Sequence, residues 1–124
     1  MTIKETRDFY DKESVQYSQK RYHGVTESYY QYLFKGRLSL FLKLFSGVLS
    51  GLSKDASLLE VGCADGVVLR AIEEAFPKRF SKIVGVDISP KMIEQAIACN
   101  RDRNTSFCLR DQLPLEQFDT VIEL

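Results

Sequence analysis

The spacing of apolar positions changes character near residue 57. Upstream, Phe34, Leu38, Phe41, Phe45, Val48 and Leu52 recur at alternating steps of four and three, which traces one face of an α-helix. They predict a helix over about 28–52 whose apolar stripe packs on a sheet. Nearer the N-terminus all six tyrosines (Tyr10, Tyr17, Tyr22, Tyr29, Tyr30 and Tyr32) fall among charged and polar residues. Tyr10 and Tyr17 are seven apart, so one helical face would carry both. Two readings stay open for them: half-buried packing, or a lid over a ligand. His23-Gly24 is the expected break in this segment.

Downstream, SLLEVG (57–62) is a short apolar run ending in glycine. A helical pattern follows from Asp65, carrying Val68, Ile72 and Ala75 inward until Pro77 stops it. KIVGVD (82–87) reads as a second buried strand. Ser89-Pro90 is an N-cap followed by proline at the first helical position, and Met92, Ile93, Ala96 and Ile97 form the inner face. TSFCL (105–109) and FDTVIEL (118–124) complete four strands. Strands alternating with helices predict an α/β, doubly wound, partly parallel sheet with right-handed crossovers. The expected division is a helical lid or packing segment over 1–56 and a sheet-forming region over 57–124.

Composition narrows the function classes. Hydrophobic residues are 44% of the chain and charged residues 27%, which suits one folded domain rather than a disordered tail. Seventeen basic residues balance seventeen acidic ones, so no net field steers nucleic acid or an anionic membrane. The most apolar window, 38–52, contains Lys43 and is shorter than the ~20 residues that span a bilayer. Cys63, Cys99 and Cys108 form no CxxC pair, and His23 is the single histidine. That excludes a zinc knuckle, an HExxH site and a histidine-centred triad, and predicts a reducing, cytoplasmic setting.

The chemistry concentrates in LLEVGCADG (58–66). A strand handing over to a helix through a glycine-bearing turn brings backbone N–H groups to a ligand at the carboxyl edge of the sheet. Glu60 puts a carboxylate in an otherwise apolar strand, where an idle charge is costly. The dinucleotide pattern GxGxxG read from Gly62 would need glycine at 64 and Gly or Ala at 67, but the chain has Ala64 and Val67. Asp87, ending the second strand, is placed to accept both hydroxyls of a ribose; alternatively it caps the next helix, for which Ser89 is already available. Asp111 follows the third strand and by itself is an ordinary loop aspartate.

Together these residues resemble the Rossmann-like S-adenosylmethionine-dependent methyltransferases, in particular the small-molecule group. The resemblance covers 58–124, and 8–22 more loosely through DFYDKESVQYSQKRY. It implies S-adenosyl-L-methionine as cofactor and a small-molecule methyl acceptor. Glu60 would support the turn and the methionine ammonium, with Gly62, Cys63 and Ala64 lining methionine and ribose and Gly66 opening the helix. Asp87 would hold the ribose hydroxyls. Ile88 and Met92 would sandwich adenine, with Asp111 and the Gln112 N–H at its edge. Tyr17 would lie over the methionine end. Glu123, at the cofactor end of the fourth strand, is the one acidic candidate there, and no general base is assigned.

Two departures from the family pattern stand out. Ala64 replaces the middle glycine of the turn, where its methyl group could crowd the cofactor. The family order of seven strands, 3-2-1-4-5-7-6, is expected to be truncated here after the fourth. An open fourth-strand edge would then favour self-association. A nicotinamide-type oxidoreductase is disfavoured by Glu60, Ala64 and Val67, while a non-catalytic nucleotide-binding or interaction module stays open.

Overall fold

The computed structural model describes residues 1–23 and 29–124. Helix α1 (Ile3–Glu13) opens on Thr2 with a reciprocal Thr2–Glu5 capping box. A 3-10 turn (Ser14–Gln16) leads into α2 (Tyr17–Tyr22). Helix α3 spans Tyr29–Leu49; the predicted break at Gly24 and start at Ser28 lie outside the described residues. Then come β1 (Ser57–Val61), α4 (Val67–Ala75), β2 (Lys82–Asp87), α5 (Pro90–Cys99), β3 (Thr105–Leu109), a 3-10 turn (Arg110–Gln112) and β4 (Thr120–Glu123).

The four strands form one parallel sheet in the order β3-β2-β1-β4. Strand β1 is central, so Glu60 is flanked by Gly85 of β2 and Ile122 of β4. One face of the sheet carries the main core, where Leu58 and Ile83 meet Phe45, Leu69, Ile72 and Phe80. A smaller cluster of Leu59, Val84 and Val86, with Leu113 and Phe118 against it, occupies the other face. Strand β4 is an edge strand whose Val121 is 56% exposed.

Three expected inward positions turn out. Val48 is exposed and Leu49 is buried in its place. Helix α3 is apolar on nearly every side, so the stripe could continue from Phe45 by three or by four residues, and the core takes the second. Ile97 is also exposed, because Met92, Ile93 and Ala96 already fill the inner face of α5 and Ile97 falls on its flank. Ala75 is exposed at the last turn of α4, where Phe76 packs onto the core instead.

Candidate functional site

The turn between β1 and α4 is held from below by β2. The N–H groups of Gly62 and Cys63 both donate to the Val86 carbonyl at 2.9 Å, and the Ala64 N–H donates to Asp87 Oδ2 at 2.9 Å. This anchoring holds Gly62, Ala64 and Gly66 at φ of 74°, 49° and 80°. For Ala64 that left-handed backbone costs on the order of 1 kcal/mol or more. Gly66 starts α4, and a Cβ there would meet Asn100 Nδ2 and Phe107 Cζ at 2.8 Å. Gly85 is equally constrained, since a Cβ would lie 3.0 Å from Cys63 Cβ and 2.9 Å from Phe107 Cδ1. Glycine at both places lets the turn settle onto the sheet.

Three carboxylates surround this turn. Glu60 is 1% exposed, and its Oε1 has no hydrogen-bond partner among the described residues. Burial first, then the neighbouring Asp87 and Asp65, pushes its carboxyl up to about 8. Asp65 is buried as well; one oxygen accepts the Ser18 hydroxyl and Oδ1 is unpartnered among the described residues. Asp87 accepts the Ala64 N–H on one oxygen and the Ser89 N–H at 3.0 Å on the other. Each Asp87 oxygen keeps acceptor capacity beyond that bond. Burial and Glu60 raise the Cys63 thiol, which keeps it protonated and disfavours a nucleophilic role.

Two adjoining cavities open at this end of the sheet. A cavity of about 230 Å³ is bounded by Tyr10, Tyr17, Gly62, Ala64, Asp87 and Glu123. A larger one, about 660 Å³, lies against Arg7, Pro90, Leu109 and Asp111. Ile88 and Arg110 border both. Tyr10 and Tyr17 thus reach one cavity despite the 3-10 turn between their helices. Arg21 stacks 3.9 Å from the Tyr17 ring centroid and pairs with Glu13 at 3.6 Å, fixing that ring's outer side.

Of the residues singled out in the sequence, Tyr17, Gly62, Ala64, Asp87, Ile88 and Glu123 border the smaller cavity and Asp111 the larger. Glu60, Cys63 and Gly66 are buried in and beneath the turn. Met92 is fully buried under the β2–α5 loop, and Gln112 is exposed; neither borders a cavity. Ser89 caps α5 by accepting the Met92 N–H at 3.1 Å, with Pro90 at the first helical position. Sequence reasoning missed Arg7, Asp11, Ser18 and Asp65 as parts of this region. The steps 7, 11 and 18 do share one helical face, which is the signal that could have found them.

A family model described as Methyltransferase domain matches residues 59–124. Among solved structures, the cyclase SpnF is similar at a TM-score of 0.66 and 18% identity, over 98% of this chain and 48% of that one. YjhP from E. coli is similar at 0.58 and 13% identity, over 92% of this chain and 43% of that one. Coclaurine N-methyltransferase, bound to N-methylheliamine and SAH, is similar at 0.57 and 16% identity, over 83% and 30%. This chain spans less than half the length of each. No curated protein matches the sequence.

Proposed function

The chain belongs to the methyltransferase-domain family, and on that premise we propose that it binds S-adenosylmethionine across the two cavities and serves methyl transfer to a small-molecule acceptor. One observation carries the reading: the strand-to-helix turn and the Asp87 carboxylate, with acceptor capacity left on both its oxygens, border the same cavity. Among the described residues Glu60 Oε1 and Asp65 Oδ1, buried behind that turn, have no hydrogen-bond partner, so a ligand donor reaching them would relieve a buried unpaired group.

The residues divide the work accordingly. Asp87 accepts from the ribose hydroxyls with the capacity its two backbone bonds leave. Gly62, Cys63 and Ala64 line the methionine and ribose portions, and Glu60, protonated up to about 8, would pair with the ammonium on giving up that proton. Ile88 borders the adenine, Met92 supports the floor beneath it, and Asp111 and the Gln112 N–H serve its edge. Tyr17 covers the methionine end, with Glu123 nearby on β4. When bound, the cofactor supplies a methyl group activated by a sulfonium centre. The protein's share is orientation and exclusion of water, and proximity alone can lower a barrier by ~7–11 kcal/mol.

The expected calorimetric result is binding of S-adenosylmethionine and none of a nicotinamide dinucleotide; the reverse would sink the reading. A second reading is a ligand-binding module that does not transfer methyl groups; one structural neighbour, SpnF, is a cyclase. A radiolabelled methyl-transfer assay separates the two. A cytoplasmic setting accords with three free cysteines, and no described helix is long and apolar enough to cross a membrane.

A further inference from the structure

Asp11 borders neither cavity, yet it is bonded to the loop that carries Asp87. Its Oδ1 accepts the Ser89 hydroxyl and, at 3.3 Å, the Lys91 N–H. The same Ser89 hydroxyl accepts the Met92 N–H at 3.1 Å, so it both donates and accepts. The Ser89 N–H in turn donates to Asp87 Oδ1 at 3.0 Å. Ser89 is 0% exposed, which leaves water no access to replace a lost partner. One turn earlier on α1, Arg7 Nε donates to the Ile88 carbonyl at 3.2 Å. Two residues of α1 therefore grip consecutive residues, 88 and 89, immediately after Asp87.

We propose that Asp11 is a positioning residue of the ligand site, acting from α1 through Ser89 to fix the Asp87 carboxylate. The inference rests on the proposed role of Asp87 in binding the ribose. A hydroxyl with both its donor and acceptor functions engaged has one rotamer, and that rotamer sets the first turn of α5. The first turn sets the direction of the Ser89 N–H, which holds Asp87. Without Asp11, Ser89 keeps its cap bond but loses its acceptor, and Asp87 gains freedom to turn away. Ligand affinity then falls although no ligand contact has been removed. The carboxylate also complements the positive end of the α5 dipole, but an amide at position 11 would retain both hydrogen bonds.

The test is a double-mutant cycle read by calorimetry with S-adenosylhomocysteine. Asp11→Ala is expected to weaken binding about tenfold, near the upper range for one hydrogen bond. Asp11→Asn should stay within about twofold of the parent, by the same reckoning. In an Asp87→Ala background the Asp11→Ala loss should vanish, and in an Asp111→Ala background it should persist in full. An undiminished loss in the Asp87→Ala chain, parental affinity in Asp11→Ala, or no rescue by asparagine would overturn the proposal. In the ligand-free chain, Asp11→Ala should speed amide exchange at Ser89; unchanged exchange overturns it without any ligand. If S-adenosylhomocysteine fails to bind the parent chain while Ser89 exchange still responds, the proposed function fails and the link from Asp11 to Ser89 survives.

Discussion

Ser18 of α2 donates its hydroxyl to the carboxylate of Asp65, 47 residues away in the turn after β1. Both residues are buried, so the bond joins the N-terminal helices to the loop that forms the cavity floor. Asp65 already has one oxygen without a partner among the described residues. Ser18→Ala would remove the one donor to its carboxylate among the described residues and should cost about 1–3 kcal/mol of stability. Urea denaturation measures the difference, and an unchanged midpoint would show that water replaces the hydroxyl.

Asp87→Ala should weaken cofactor affinity more than Asp111→Ala. Asp87 is buried and can offer charge-assisted bonds of about 1.5–3 kcal/mol each, whereas Asp111 is exposed and competes with water. Calorimetry on both variants decides the order, and equal affinities of parent and Asp87→Ala would refute the ribose assignment.

Stability should depend on pH through Glu60. The unfolded chain ionises this group near 4.5, while burial and the repulsion of Asp87 and Asp65 keep it protonated in the folded chain up to about 8. The folded state binds more protons across that window, so stability is fully present below it and is lost as pH rises through it. Glu60→Gln should flatten this dependence in denaturation curves collected across the window. A parental slope in the variant would assign the proton elsewhere.

If Tyr17 covers the methionine end, the segment 8–22 should gain amide protection on saturation with S-adenosylhomocysteine, because a lid must open to admit a ligand. The ring is half-buried and backed by Arg21. Unchanged protection would favour packing as its whole role.

The sheet was largely legible in the sequence, since KIVGVD and TSFCL each form one strand with the expected ends. Mostly apolar runs of five or six residues are too short for a helix and read as buried strands. Helix faces were less legible: Val48 and Leu49 are both apolar neighbours on α3, and the fold alone chooses between them. Glu60 and Asp87 could be found because a carboxylate in an apolar strand is costly unless used, and Ala64 because it stands where the resembled turn has glycine. Asp11, Ser18 and Arg7 were harder to find, because only their shared helical face, and not their residue type, separates them from solvated polar residues. Their partners lie 78, 47 and 81 positions along the chain.

Those separations bear on the order in which the molecule assembles. Joining α1 to the β2–α5 loop across 78 and 81 residues closes a longer loop than pairing β1 with β4 across 62, and the cost comes before the contacts reward it. The α1–α5 bonds should therefore form after β1, α4 and β2 have met, and be the earliest to break on warming. A chain caught at that late stage would have its sheet complete and its cavities unroofed. Recovery of ligand binding during refolding should then lag behind recovery of secondary structure.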